Sequence, residues 1–149
     1  MKHTPIKLRF LVFSILAACI MIFAVTMDGL CAEKQMHKKA PPGGNYKKVS
    51  SLVALPDFIP GLGTLYVDPA TMPAGPFLAY DRKGKLVSSV YMIPLKDIND
   101  HKEFKNLKVA SEKVNHVDMY FNAGHPGVPE PHYHVILWYI SPEKAAEMK

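Results

Sequence analysis

Residues 10–27 contain nothing more polar than Ser14, Thr26 and the thiol of Cys19, and they follow Lys2, Lys7 and Arg9 in a stretch without acids. A basic start feeding an apolar run of that length is the pattern of a secretory signal. Its exit, Gly29-Leu30-Cys31-Ala32, offers Ala32 as the last residue before a cut, although Leu30 is bulkier than the small residue preferred two positions earlier. Residues 1–32 are therefore read as a signal peptide. Only residues 33–149 then have to fold, in the periplasm or outside the cell.

Two other fates compete for the same segment. Leu16-Ala17-Ala18-Cys19 resembles the lipobox of bacterial lipoproteins, in which the cysteine is acylated, although the apolar residues 20–25 would then stand where a polar tether is wanted. An uncleaved anchor is the third, since about 20 apolar residues span a bilayer and this run is just short of that. In every case the domain lies outside the cytoplasm. Membrane contact is expected only through this segment or a lipidated Cys19.

Removing the signal takes both cysteines of the chain, Cys19 and Cys31, so neither a disulfide scaffold nor a cysteine nucleophile is available to the mature domain. It also takes three of 18 bases and one of 13 acids, leaving 15 against 12 and a net charge of +3. The remaining lysines cluster in residues 33–50 beside Pro41-Pro42-Gly43-Gly44, the composition of a flexible, solvated basic leader. No arginine and no aromatic pattern accompanies them, so nucleic acid is not an expected partner. Residues 51–149 are left as a single domain, long enough to bury a modest core.

From Ser50 onward, apolar segments alternate with glycine and proline. Residues 63–67 read as a strand ended by Asp68-Pro69, and residues 77–80 and 86–93 read as a hairpin around Asp81-Arg82-Lys83-Gly84-Lys85. Residues 94–106 are polar with Ile98 and Phe104 as apolar points, which predicts a helix. Residues 109–122 and 132–140 return to strand texture, and Ser141-Pro142-Glu143 opens a short closing helix with serine as N-cap and proline at the first helical position. The expected class is α+β: an antiparallel sheet of about five strands, one interior helix and a short C-terminal helix, with helices covering one face. Gly61-Leu62-Gly63 lacks the third glycine of a dinucleotide fingerprint, and no Gly-x-Ser-x-Gly elbow is present.

Histidine is the chemical resource that remains. Four of the seven histidines, His116, His125, His132 and His134, fall within nineteen residues. Strand alternation puts His116, Asp118, Tyr120 and Asn122 on one face, with Val117, Met119 and Phe121 on the other, expected to be the core face. It likewise puts His132 and His134 with Ile136 and Trp138. If the two strands are antiparallel neighbours, His116 and Asp118 approach His132 and His134, with His125 over them from a proline-rich loop. Imidazoles with a carboxylate suit zinc, manganese or iron(II), with His116, Asp118, His125, His132 and His134 as candidate ligands. Asp118 also suits a partner that fixes a ligand's tautomer. The plainer alternative is a polar sheet face whose histidines hydrogen-bond to Tyr120, Glu130 and backbone without metal.

Gly124-His125-Pro126-Gly127 followed by Pro131-His132-Tyr133, with Tyr66-Val67-Asp68-Pro69, Met72-Pro73-Ala74-Gly75 and Tyr91-Met92-Ile93-Pro94, resembles a family of small exported bacterial proteins of uncharacterised function. The likeness runs over about residues 52–142. In that family an aspartate follows the Pro-His-aromatic step and another histidine comes two residues later; here those positions hold His134 and Ile136. The His132-Tyr133-His134 step after Gly127 also resembles the start of a cupin motif, but no glutamate follows on the strand. Three function classes remain open: an envelope domain with a histidine-lined, metal-binding polar site; a metal-dependent enzyme using His116, His132 and His134 with Asp118 as ligand or base; and a structural protein that self-associates as a homo-oligomer through aromatic strand faces.

Overall fold

The computed structural model describes residues 37–149; the segment read as a signal peptide, residues 1–32, lies outside the described residues. Six strands, β1 (Lys47–Lys48), β2 (Thr64–Val67), β3 (Phe77–Tyr80), β4 (Leu86–Pro94), β5 (His116–Asn122) and β6 (His132–Trp138), form one sheet. Its order is β1-β2-β3-β4-β6-β5, with every neighbouring pair antiparallel. Among the described residues the two α-helices, α1 (Leu95–Asn99) and α2 (Pro142–Ala146), are five residues each. The molecule is thus mainly an antiparallel sheet, with one more strand than expected and less helix.

The hairpin expected between residues 77 and 93 forms as the sequence suggests. Asp81 Oδ1 accepts the amides of Lys83 and Lys85 at 2.8 and 2.9 Å, and Gly84 takes a φ of 73°. These bonds satisfy backbone donors that the turn would otherwise leave open. Inside the sheet, β4 is flanked by β3 and β6 and is buried on both faces over nearly its whole length. One face carries the larger core, including Val67, Phe77, Val90, Met92, Ile136 and Trp138; the other buries Leu78, Tyr80 and Leu86 with Ala110.

Several expectations are corrected. From His37 the segment read as a flexible leader is docked: Tyr80 donates its hydroxyl to the His37 carbonyl at 2.8 Å, and Ala40 N–H bonds Gly84 O at 2.8 Å. Lys47 and Lys48 pair with β2 as β1. Composition reports solvated lysine side chains, and most of these are indeed exposed, but their backbone still serves the sheet.

The interior helix ends at Asn99 rather than 106. His101 adopts a φ of 54°, while its N–H bonds Ile98 O and Lys102 N–H bonds Asp97 O, a left-handed C-terminal cap with histidine where glycine is usual. Among the described residues, helices also do not cover a face by themselves. The larger core is instead closed by partly buried Val53, Leu55, Phe58, Ile59 and Leu62 from irregular segments, together with Ala145 of α2.

The core side of β5 is reversed as well. Val117, Met119 and Phe121 are 56%, 60% and 51% exposed, while His132 and His134 are 0% and 4% exposed. β5 is an edge strand, and the covering segments lie on the histidine side.

Candidate metal centre

β6 begins directly after Pro131, and strand alternation sends His132 and His134 to the same buried face beside Ile136 and Trp138. Their rings lie 4.9 Å apart at 31°, and the two Nε2 atoms share a hydrogen bond at 2.9 Å, one donating to the other. His125 reaches the pair from the loop after β5. His125-Pro126-Gly127-Val128 closes as a tight turn with both His125–Val128 backbone hydrogen bonds at 3.0 Å. Proline at the second position and glycine with a φ of 89° at the third is the chemistry of a type II turn.

Two glycines lock this loop. A Cβ on Gly124 would meet the Pro129 carbonyl at 2.3 Å, and one on Gly127 would meet Val53 at 2.9 Å. His125 thereby stands 5.0 and 5.5 Å, ring to ring, from His132 and His134.

The candidate ligand atoms of His125, His132 and His134 all lie within 4.8 Å of one another. The outward nitrogens are already committed. His132 Nδ1 bonds the Glu130 carbonyl at 2.7 Å and His125 Nδ1 bonds the Pro126 carbonyl at 3.0 Å. A carbonyl oxygen only accepts, so both Nδ1 atoms carry a proton, and in the neutral form of each ring Nε2 is the lone-pair nitrogen. His134 Nδ1 lies 3.0 Å from the Tyr120 hydroxyl. Burial, reinforced by His132 and His125, pushes the His134 pKa down to about 4, which keeps that ring neutral. Burial, with Asp118 adding to it, raises the Tyr120 pKa.

This donor set fits a metal ion. Two nitrogens each about 2.1 Å from one ion at a right angle stand roughly 3 Å apart, close to the His132–His134 spacing. Ring N–H groups tied to backbone carbonyls are the support that fixes ligand orientation. The hydrogen bonds expected of the metal-free alternative, to Tyr120 and to the backbone at Glu130, are present too. They hold the rings that face inward.

His116 and Asp118 do not join the cluster. The register pairs Tyr120 with His134 and Asn122 with His132, leaving Asp118 opposite Ile136 and His116 opposite Trp138. Asp118 Oδ2 accepts the Trp138 indole N–H at 2.8 Å, and the His116 ring stacks on Trp138 at 6.0 Å. In an antiparallel hairpin the last residues of the first strand oppose the first residues of the second, which excludes an approach of His116 to His132. Of the five candidate ligands, His116, Asp118, His125, His132 and His134, the structure brings His125, His132 and His134 together and leaves His116 and Asp118 outside the cluster. Tyr120 and Asn122 stand in the places assigned to Asp118 and His116.

Next to the triad lies a cavity of about 360 Å³ lined by Tyr120, Asn122, His125 and His134 at one end and by apolar side chains elsewhere.

No family model and no curated protein matches this chain. Among solved structures it is similar to the crystal structure of a hypothetical protein, TTHB210, from Thermus thermophilus, with a TM-score of 0.57 and 63% of this chain covered. At 47% identity across 92% of that protein, the chain belongs to the same family as the Thermus thermophilus protein.

Proposed function

We propose that this chain is an exported envelope or extracellular domain that binds a divalent transition metal through His125, His132 and His134. The observation that carries the reading is the inward aim of three imidazoles whose outer nitrogens are held by Glu130 O, Pro126 O and Tyr120. An all-imidazole set suits zinc or iron, whereas manganese prefers carboxylate; with Asp118 engaged by Trp138, zinc or iron(II) is favoured. Three protein ligands leave a coordination position open, the arrangement of sites that bind or activate a further molecule. When bound, the ion would supply a Lewis-acid position there.

Elemental analysis of the purified protein beside the His132→Ala/His134→Ala double variant tests this. About one equivalent of metal in the parent and none in the variant is expected; equal content in both overturns it. Export rests on the basic start and apolar run of residues 1–27 and on the resemblance to small exported bacterial proteins. N-terminal sequencing of the protein from cells should begin at Glu33, and an intact Met1 overturns cleavage there.

A second reading, self-association, is favoured by the exposed apolar face of edge strand β5. An uncovered apolar edge is a surface that proteins commonly pair or protect. A clean monomer by solution mass would count against it.

A further inference from the structure

The cavity beside the triad has a two-part lining. Val49, Leu65, Met72, Phe77, Met92 and Val128 supply apolar wall, whereas the titratable and amide side chains, His125, His134, Tyr120 and Asn122, stand together at the metal-facing end. Tyr120 lies against His134 with ring centroids 5.1 Å apart, and Asn122 pairs in register with His132. Glycine, proline and exposed Tyr120 edge the cavity, so it is reached from solvent.

Among the described residues, the lining contains no aspartate, glutamate, lysine or arginine. A divalent ion held by three neutral imidazoles therefore carries its full +2 charge into an apolar space. An uncompensated charge in such surroundings is costly, so the site favours an anionic partner at the open position. Donors for it are at hand. With His134 Nε2 turned to the ion, its Nδ1–H donates to the Tyr120 oxygen and frees the phenolic proton. Asn122 Oδ1 already accepts from Gly124 N–H at 2.8 Å, which leaves its NH₂ to donate.

Resting on the metal reading above, we propose that the cavity binds a small, largely apolar anion, its carboxylate or similar oxygen head at the triad and its tail along the apolar wall. At about 30 Å³ per water-sized group, 360 Å³ accommodates roughly ten to twelve non-hydrogen atoms. Octanoate is a probe of that size.

The test uses purified protein loaded with one equivalent of cobalt(II), whose visible spectrum reports coordination by the head. Acetate, butyrate, hexanoate, octanoate and dodecanoate are titrated in turn. Affinity should climb by up to about fourfold per buried methylene, reach at least tenfold over acetate at octanoate, and stop climbing before dodecanoate. All should produce the same spectral change. Affinity independent of chain length overturns the proposal, and so does affinity that keeps rising through dodecanoate, since that is unbounded surface binding.

Leu62→Trp, which fills the cavity from a lining position outside the triad, should keep a full equivalent of cobalt while losing octanoate at least tenfold and acetate little. Unchanged octanoate binding in that variant also overturns it. Failure of the metal reading looks different: no cobalt is taken up at all. Chain-length-dependent binding to the metal-free protein would then overturn the placement of the head on the ion.

Discussion

The two faces of the β5–β6 hairpin reverse the usual distribution of polarity. On one, His132 and His134 are buried beside Ile136 and Trp138; on the other, Val117, Met119 and Phe121 face outward. The same alternation generates both faces, and hydropathy alone assigns the inside to the wrong one on β5. What decides is cover. The segments after β1 and the turn at residues 125–128 close over the histidine face, and the opposite face of β5 has no comparable cover among the described residues. Burying imidazoles is tolerable because each ring is hydrogen-bonded at both nitrogens, so no buried polar atom is left without a partner. Leaving valine, methionine and phenylalanine outside forgoes hydrophobic stabilisation without breaking anything.

This contrast predicts a graded series of effects. Ile136→Ala, on the buried face, should cost about 2 to 5 kcal/mol, the ordinary range for truncating a well-packed aliphatic side chain. Chemical denaturation measures it, and a loss under 1 kcal/mol would mean that face is not core.

Next comes acid. The folded-state pKa of His134 is about 4 against an ordinary 6.5, so below pH 6.5 the unfolded chain takes up a proton that the folded ring refuses. The stability of the metal-free protein should be complete above pH 6.5 and fall by up to about 3 kcal/mol as pH approaches 4. The pH dependence should largely disappear in His134→Gln; a profile unchanged by that substitution would break the assignment.

Tyr120→Phe removes the hydroxyl that bonds His134 Nδ1. It should cost about 1 kcal/mol in the metal-free protein and roughly tenfold in metal affinity, the lower end for a group that orients a ligand. Isothermal titration separates the two effects. At the small end, Val117→Thr and Met119→Thr should shift stability by no more than about 0.5 kcal/mol, as expected for exposed positions. A loss of 2 kcal/mol or more at either would show that the outer face is covered in solution.

Much of the strand framework was legible. Apolar segments between Pro/Gly punctuation place β2, β3, β4 and β6, Asp81-Arg82-Lys83-Gly84 marks the hairpin turn, and Ser141-Pro142 marks the start of α2. His125, His132 and His134 also stand out in the sequence, because period-two alternation and the Gly-His-Pro-Gly turn are local signals. What failed depends on non-local partners. β1 is two lysines long and has no strand texture of its own; only pairing with β2 makes it a strand. The stop at His101 uses a left-handed residue that is not glycine, which no composition rule flags. His116 and Asp118 share a face with the site but stand two and more residues too far along the strand, a distance set by the register of the hairpin. Tyr120 and Asn122 follow from the same register once the strand ends are fixed.

The turn that carries His125 also carries Val128, and the two are joined by a reciprocal pair of backbone hydrogen bonds. One side chain belongs to the histidine triad and the other to the cavity wall. A guest molecule that presses Val128 outward would therefore move the His125 ring with it, because the turn between them is closely seated: a Cβ on Gly127 would meet Val53 and one on Gly124 the Pro129 carbonyl. Filling the cavity and shifting a proposed metal ligand would then be one mechanical act. The ion in this fold would work as a gauge of what the cavity contains, even for a guest that never touches the metal.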